Sequence, residues 1–164
     1  MGLLDTERKV AEPEDIQDID LSATRKKRIR INGDNSKILE LNTADLGIMA
    51  RVREAYPKLL KMVESSSKEF ENADIEDDKA FDRMIDTLGK IDEQMRKTVD
   101  TIFDANVSEV CASDGSMYDP FDGKFRFEHI IEALLPLYGK NLNLEFNKMS
   151  TQMKSHTAKY TGIK

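Results

Sequence analysis

The chain has 164 residues, of which 39% are hydrophobic and 34% are charged, and its formal net charge is −6 at neutral pH. This length suits one domain, and the hydrophobic content is too high for a fully disordered chain. No apolar run approaches the roughly 20 residues that span a bilayer, the first residues lack a signal-peptide pattern, and a single cysteine excludes an intrachain disulfide. We therefore expect a reducing, cytosolic location.

Charge is distributed unevenly near the N-terminus. Residues 1–20 contain seven acidic and two basic residues, whereas residues 21–32 contain five basic residues and no acid. The basic set, which forms the candidate partner-binding residues, is Arg25, Lys26, Lys27, Arg28 and Arg30. The simpler interpretation is two solvated segments. The alternative hypothesis is that the acidic segment masks the basic one until a partner displaces it.

Three regions are predicted along the chain. Residues 1–24 are predicted to be a flexible acidic arm, because they have few large apolar residues and no sustained period. Residues 25–158 are predicted to be a single helical domain with an N-terminal β-hairpin, and residues 159–164 a C-terminal tail. The expected fold class is mainly α (α+β), with the hairpin followed by a bundle of three to four helices.

The hairpin is predicted from the stretch "RIRINGDNSKILEL", residues 28–41. Strand side chains alternate between faces, so Ile29 and Ile31 share one face and the two arginines share the other. Leu39 and Leu41 can supply the matching apolar face on the return strand, and residues 32–36 are turn formers. Because a lone hairpin is marginal in water, its apolar face is expected to cover the helices.

The first helix is predicted to begin at a cap formed by Thr43 or Asp45. Pro57 lies inside it and predicts a kink or a break. Residues 64–78 lose the period and are predicted to be a connection. Apolar residues at three- and four-residue spacing mark the buried face of this helix: Leu46, Met49, Val52, Tyr56, Leu59, Leu60 and Val63.

The second helix has the strongest pattern, and its apolar stripe is expected to be the spine of the core. The stripe consists of Phe81, Met84, Ile85, Leu88, Ile91, Met95, Val99, Ile102, Phe103 and Val107. Residues 113–124 are rich in Gly, Pro, Asp and Ser and are predicted to be a loop. A third helix follows from Phe127 and is bent or ended by Pro136, and a last helix is predicted over residues 141–156.

Motifs for catalysis are absent from the sequence. No Walker loop, GxGxxG or GxSxG pattern occurs. Cys111 could be a nucleophile with His129 as its base, but a buried structural thiol is the more common use of such a cysteine. We therefore predict that the chain is not an enzyme, with no catalytic residue and no cofactor.

The segment "YDPFDGKFRFEH" resembles a calcium loop around Gly123. With Gly123 as the turn glycine, however, the first, third and twelfth ligand positions fall on Tyr118, Pro120 and His129, none of which is a carboxylate. We predict no metal site. The rival hypothesis is a calcium-linked or hydrolytic function that uses four acidic residues of this region: Asp114, Asp119, Asp122 and Glu128.

Two further patterns concern membranes and nucleic acids. The start "MGLLDT" fits the N-myristoylation pattern, and the basic cluster could supply a second membrane signal or contact phosphates. The myristoylation pattern is short and common by chance, and no aromatic platform accompanies the basic residues. We therefore expect no membrane association, and nucleic acid is the minority alternative.

The order of hairpin and helix carries a family resemblance. Residues 26–63, "KKRIRINGDNSKILELNTADLGIMARVREAYPKLLKMV", resemble the opening of small proteins from the structural gene modules of tailed phages that infect Gram-positive bacteria. Those proteins open with a strand pair of the "xIxINGxxxxL" kind and an amphipathic helix, and later carry "IDxxFG", a glycine-bearing loop and a terminal helix. The later counterpart here starts with "TVDTIFDANVSEV", where Asp104-Ala105 replaces the expected glycine.

The resemblance covers roughly residues 26–142, and the layout is most similar to that of the tail assembly chaperones. It implies a protein that binds the tape-measure protein and helps tail-tube polymerisation, acting in the host cytoplasm during assembly. The alternatives that stay open are a structural component of the virion (head, neck or tail) and, as a lesser alternative, a nucleic-acid-binding protein that uses the basic hairpin. Homo-oligomerisation is also left open.

Overall fold

The computed structural model describes residues 15–21 and 26–161, with side chains up to residue 154. The described elements are the strands β1 (Lys26–Ile31) and β2 (Asp34–Asn42), helices α1 (Ile48–Asn72), α2 (Asp78–Phe103) and α3 (Val107–Cys111), strands β3 (Pro120–Phe121) and β4 (Lys124–Phe125), helix α4 (Arg126–Leu134), a 3-10 turn (Leu135–Leu137), and helix α5 (Leu142–Thr161). The predicted class, an N-terminal hairpin followed by helices, is confirmed.

Much of the predicted arm, residues 1–14 and 22–24, lies outside the described residues, as does Arg25. Residues 15–21 contain no helix or strand, and Ile16, Ile19 and Leu21 are exposed.

The first hairpin has the predicted faces. Asn32 and Gly33 have φ values of 54° and 70°, which fits the Asn-Gly preference of a tight two-residue turn. Ile29 pairs with Leu39 in the register. Leu39 and Leu41 are fully buried, and the two isoleucines of β1 pack partly buried against the core. The turn is shorter than the predicted residues 32–36, because β2 already begins at Asp34 and the register shifts between Arg30 and Ile31.

Helix α1 is longer than predicted. It continues through Pro57 to Asn72, so of the predicted kink or break no break occurs, and the predicted connection is wrong over residues 64–72. The loss of a hydrogen bond at a mid-helix proline, about 3 kcal/mol, is offset by the buried neighbours Tyr56, Leu59 and Leu60. A Glu64–Lys68 ion pair of 2.9 Å supports the polar extension.

The start of α1 also differs from the prediction. Gly47 is the N-cap residue, and neither Thr43 nor Asp45 caps the helix. Asp45 instead accepts hydrogen bonds from the Gly47 amide at 2.9 Å and from Arg51 at 2.5 Å. Leu46 precedes the helix and is 97% exposed, so it does not belong to the buried face.

Helix α2 contributes to the core through its C-terminal half. Asp77 caps its start by accepting from the Lys79 amide, and Asp104, at φ 50°, ends it, so Val107 belongs to α3. Met95, Val99, Ile102 and Phe103 are buried in the core. In the N-terminal half the predicted spine is wrong for Phe81 and Ile85, which are exposed, and Leu88 is half-buried. Met84 is buried there, but it lies outside the core cluster. The facing part of α1, residues 64–72, lies beyond its last core residue, Val63, and is mostly polar.

The predicted loop over residues 113–124 contains the start of a second, very short hairpin. Asp122 and Gly123 have φ values of 51° and 76°, and β3 pairs with β4 across them. The Asp-Gly pair is a turn signal of the same kind as Asn-Gly. Helix α4 then ends in the 3-10 turn that contains Pro136, as predicted, and α5 buries Phe146 and Met149.

The core lies between α1, the C-terminal half of α2, and the helices α3 to α5, with the hairpin laid over it. Helix α1 packs against both α2 and α5, and β2 packs against α3. Within the described ranges, no helix is both long enough and apolar enough to cross a membrane.

Candidate functional site

Strand β1 presents its basic side chains to solvent. Lys26, Lys27, Arg28 and Arg30 are all exposed. None of the four forms an ion pair with another described residue. The Arg30 guanidinium donates to the Asn35 side chain at 2.9 Å. These charges are therefore open to a partner, which is the placement expected for a binding strand.

The edge of β1 is also open. β1 and β2 form a two-stranded sheet, so in the described part of the chain no strand pairs with the side of β1 that faces away from β2. An open edge can accept a strand from another chain, and charged side chains along it restrict which chains do so.

An apolar groove of about 910 Å³ adjoins the turn end of this strand. Its volume lies in the range of ligand pockets, roughly 300–1,000 Å³. One wall comes from Arg30, Ile31 and Asn32 of the first hairpin. The remainder comes from α3, the second hairpin and α4: Cys111, Asp119, Pro120, Phe121, Arg126, His129, Ile130, Ala133 and Leu134. The basic strand and this groove together form the candidate site.

The second hairpin places an exposed aromatic ring at the groove. Phe121 is 71% exposed and lies against the His129 ring, with centroids 5.5 Å apart. His129 Nε2 lies 2.6 Å from the Phe121 carbonyl oxygen, and the Asp122-Gly123 turn follows directly. An exposed aromatic side chain beside an apolar groove is typical of a protein-binding anchor.

Cys111 and His129, the nucleophile–base pair considered from sequence, line the same groove. Burial, and then the nearby Asp100 carboxylate, raise the pKa of the Cys111 thiol to about 11. The thiol is therefore protonated at neutral pH, whereas a catalytic cysteine needs a lowered pKa. This environment is that of a structural thiol.

Alkylation of the single cysteine should reveal this raised pKa. At pH 7.5, iodoacetamide should react with the folded protein about 100-fold more slowly than with the urea-unfolded chain, because the thiolate fraction falls tenfold for each unit by which the pKa rises. The folded-state rate should keep rising with pH between 7 and 9. Equal rates, or a plateau near neutral pH, would instead indicate an activated nucleophile.

The acidic residues of the rival calcium hypothesis are engaged separately. Asp114 pairs with Arg126 at 2.5 Å, and this hydrogen bond lowers the pKa of Asp114. Asp119 accepts from the Ser116 amide at 3.0 Å, and Asp122 forms the turn of the second hairpin. No cluster of three or more potential metal ligands occurs among the described residues.

Glu128, the fourth of those acids, is fully buried in a polar network that sequence reasoning missed. Its Oε2 accepts from the Tyr56 hydroxyl at 2.7 Å and from Ser150 at 3.2 Å. Its Oε1 accepts from the Phe125 amide at 3.1 Å and pairs with Lys154 Nζ at 2.9 Å. Burial and the Glu128 charge raise the pKa of Tyr56 well above its usual range. The network links α1, α4 and α5, and α4 also lines the groove.

Three polar side chains of α2 form hydrogen bonds with the backbone of α3 and of the loop that follows it, residues 108–117. The Asp100 carboxylate accepts from the Ser108 amide at 2.7 Å, and Arg96 donates to the Ala112 carbonyl at 2.7 Å and to the Gly115 carbonyl. Asp92 pairs with Arg96 and accepts from the Met117 amide, both at 2.7 Å. The sequence signal is their spacing of four residues, which puts them on one helix face.

Comparisons with known proteins identify no relative of this chain. No family model, no curated protein and no solved structure matches this chain. The function must therefore be argued from the site and from the motif resemblance.

Proposed function

We propose that this chain is a non-enzymatic assembly factor that binds other proteins, and that it serves as a tail assembly chaperone for the tape-measure and tail-tube proteins of a tailed phage. The observation that carries the protein-binding part is the open, basic edge of β1, which runs into an apolar groove with Phe121 at its rim. The phage assignment is supported by the resemblance of residues 26–142, whose order of hairpin and helices matches the fold.

The site suits a client segment that carries both apolar and acidic side chains. An extended client segment can add to β1 through main-chain hydrogen bonds, while its apolar side chains enter the adjoining groove. The exposed Arg28 and Arg30 would attract an acidic client and raise the association rate, most strongly at low salt. Such a chaperone would act in the host cytoplasm during assembly.

Co-expression with the tape-measure protein of the same phage should yield a soluble complex. Phe121→Ser should weaken that complex at least about tenfold, as expected for an aromatic anchor, with little effect on folding because the ring is 71% exposed. Leu144→Ser is the matched control, since Leu144 is exposed on α5 outside the groove. Equal loss in both variants, or no complex with the wild type, would contradict the proposal.

Two measurements separate the alternatives. Mass spectrometry of purified virions distinguishes a structural part, which is present in fixed copy number, from a chaperone, which is absent. The four exposed basic residues of β1 keep nucleic acid as the second candidate. DNA binding that weakens steeply with salt and is lost in Arg28→Ala/Arg30→Ala, without capture of any tail protein, would reverse the order of the two functions.

A further inference from the structure

The turn between α1 and α2 carries a second surface. We define the α1–α2 tip as residues 69–86, which include the end of α1 and the start of α2. Four large apolar residues of the tip are exposed to solvent: Phe70 (66%), Ile75 (68%), Phe81 (39%) and Ile85 (52%). The same residues 69–86 contain eight acidic side chains against Lys79 and Arg83. The tip is therefore both apolar and strongly acidic.

The tip extends away from the core. Val63 is the last residue of α1 in the core cluster, and the helix continues for nine residues beyond it, about 13 Å at the helical rise. On α2 the buried core residues begin only at Met95, with Ile91 packed against them. Phe70, Ile75 and Ile85 thus remain more than half exposed and Phe81 39% exposed, whereas Met84, also in the tip, is buried.

The candidate site has the opposite charge and the same apolar character. The apolar lining of the groove includes Ile31, Phe121, Ile130 and Leu134. Its charged lining residues are Arg30, Arg126 and Asp119, and Arg126 pairs with Asp114. The basic strand β1 adjoins it; none of its four cations forms an ion pair within 4.0 Å with another described residue, although Glu40 lies opposite Arg28 in the register. No residue of the tip lines the groove. The tip and the groove of one chain therefore do not meet, and a second copy of the chain carries the complementary surface.

We propose that two copies of this chain associate head to tail, with the apolar side chains of one copy's tip docked into the groove of the next and the acidic side chains of that tip against the basic strand β1. Apolar burial of the four tip residues supplies the attraction, and the opposite charges select the partner and set the orientation. Because the two surfaces differ, the contact is heterologous, and each chain keeps one free tip or one free groove. Growth beyond the dimer, into a ring or an open chain, follows from the same contact. This inference does not depend on the phage assignment.

Sedimentation velocity over a range of protein concentrations tests the proposal on the full chain. The wild type should sediment faster as its concentration rises, and raising the salt from 20 to 500 mM should weaken the association at least about tenfold, since screening removes exposed charge attraction. A tip variant, Phe70→Ser/Ile75→Ser, and a groove variant, Arg30→Glu/Phe121→Ser, should each remain monomeric. Leu46→Ser is the matched control, because Leu46 is 97% exposed and lies on neither surface, and it should associate like the wild type.

Mixing the two variants gives the sharpest result. The tip variant keeps an intact groove and the groove variant keeps an intact tip, so an equimolar mixture should form a one-to-one dimer that cannot grow. Self-association of the groove variant alone would show a symmetric contact between two tips and would overturn the proposal. A wild type that stays monomeric at low salt would also overturn it, leaving the tip and groove to other chains. The tip variant should still bind a groove client, which separates failure here from failure of the proposed function.

Discussion

Replacing Glu128 with alanine should lower the free energy of unfolding by about 3–5 kcal/mol, the range expected when one partner of a buried ion pair is removed. Glu128 is fully buried and accepts from Tyr56, Ser150 and the Phe125 amide in addition to Lys154. Its removal leaves the Phe125 amide and Lys154 without this acceptor, and Tyr56 and Ser150 keep only their 3.0 Å contact with each other. Urea unfolding followed by circular dichroism measures the loss.

Two further variants make this result specific. Glu145→Ala removes an exposed ion pair with Lys148, three residues away, and should change stability by less than about 0.5 kcal/mol. The double variant Glu128→Gln/Lys154→Met removes both buried charges but keeps a side-chain oxygen for Tyr56, so it should be more stable than Glu128→Ala. If Glu128→Ala unfolded like Glu145→Ala, the carboxylate could not be buried as the structure places it.

Local patterns explain which parts of the fold were predicted correctly. The faces of the first hairpin follow from a period of two and an Asn-Gly turn, which act within 14 residues. The end of α4 follows from Pro136. The Asp122-Gly123 turn was equally visible in the sequence, but the strands on either side have two residues each and show no alternation. Helix α1 was predicted too short because its apolar period ends before its backbone hydrogen bonding does.

The missed parts depend on contacts between residues far apart in the sequence. Tyr56 and Glu128 are 72 residues apart, so no local pattern shows that this glutamate is buried. The basic residues of β1 are exposed, but the groove beside them combines the first hairpin with α3 and α4 and has no sequence signature. An apolar stripe likewise shows which face of a helix is apolar without showing what covers it, which is why the N-terminal half of α2 was assigned to the core.

The same substitution at two isoleucines of α2 tests the difference between its buried C-terminal half and its exposed N-terminal half. Ile102→Ala should lower the free energy of unfolding by about 2–5 kcal/mol, because Ile102 is 1% exposed and belongs to the core cluster. Ile85→Ala should lower it by less than about 1 kcal/mol, because Ile85 is 52% exposed. Both variants lie in the same helix, and the higher helix propensity of alanine favours each of them, by less at Ile102 in the last turn.

Leu88→Ala should fall between these two values, since Leu88 is half-buried. Such a gradient along α2 would mean that Phe81 and Ile85 do not hold the fold together, so their apolar surface is free for binding. Ile85→Ala should then weaken head-to-tail association while the unfolding midpoint of the monomer hardly changes. If Ile85→Ala destabilised the chain as much as Ile102→Ala, the tip would be an extension of the core, and its apolar residues would be explained by folding alone.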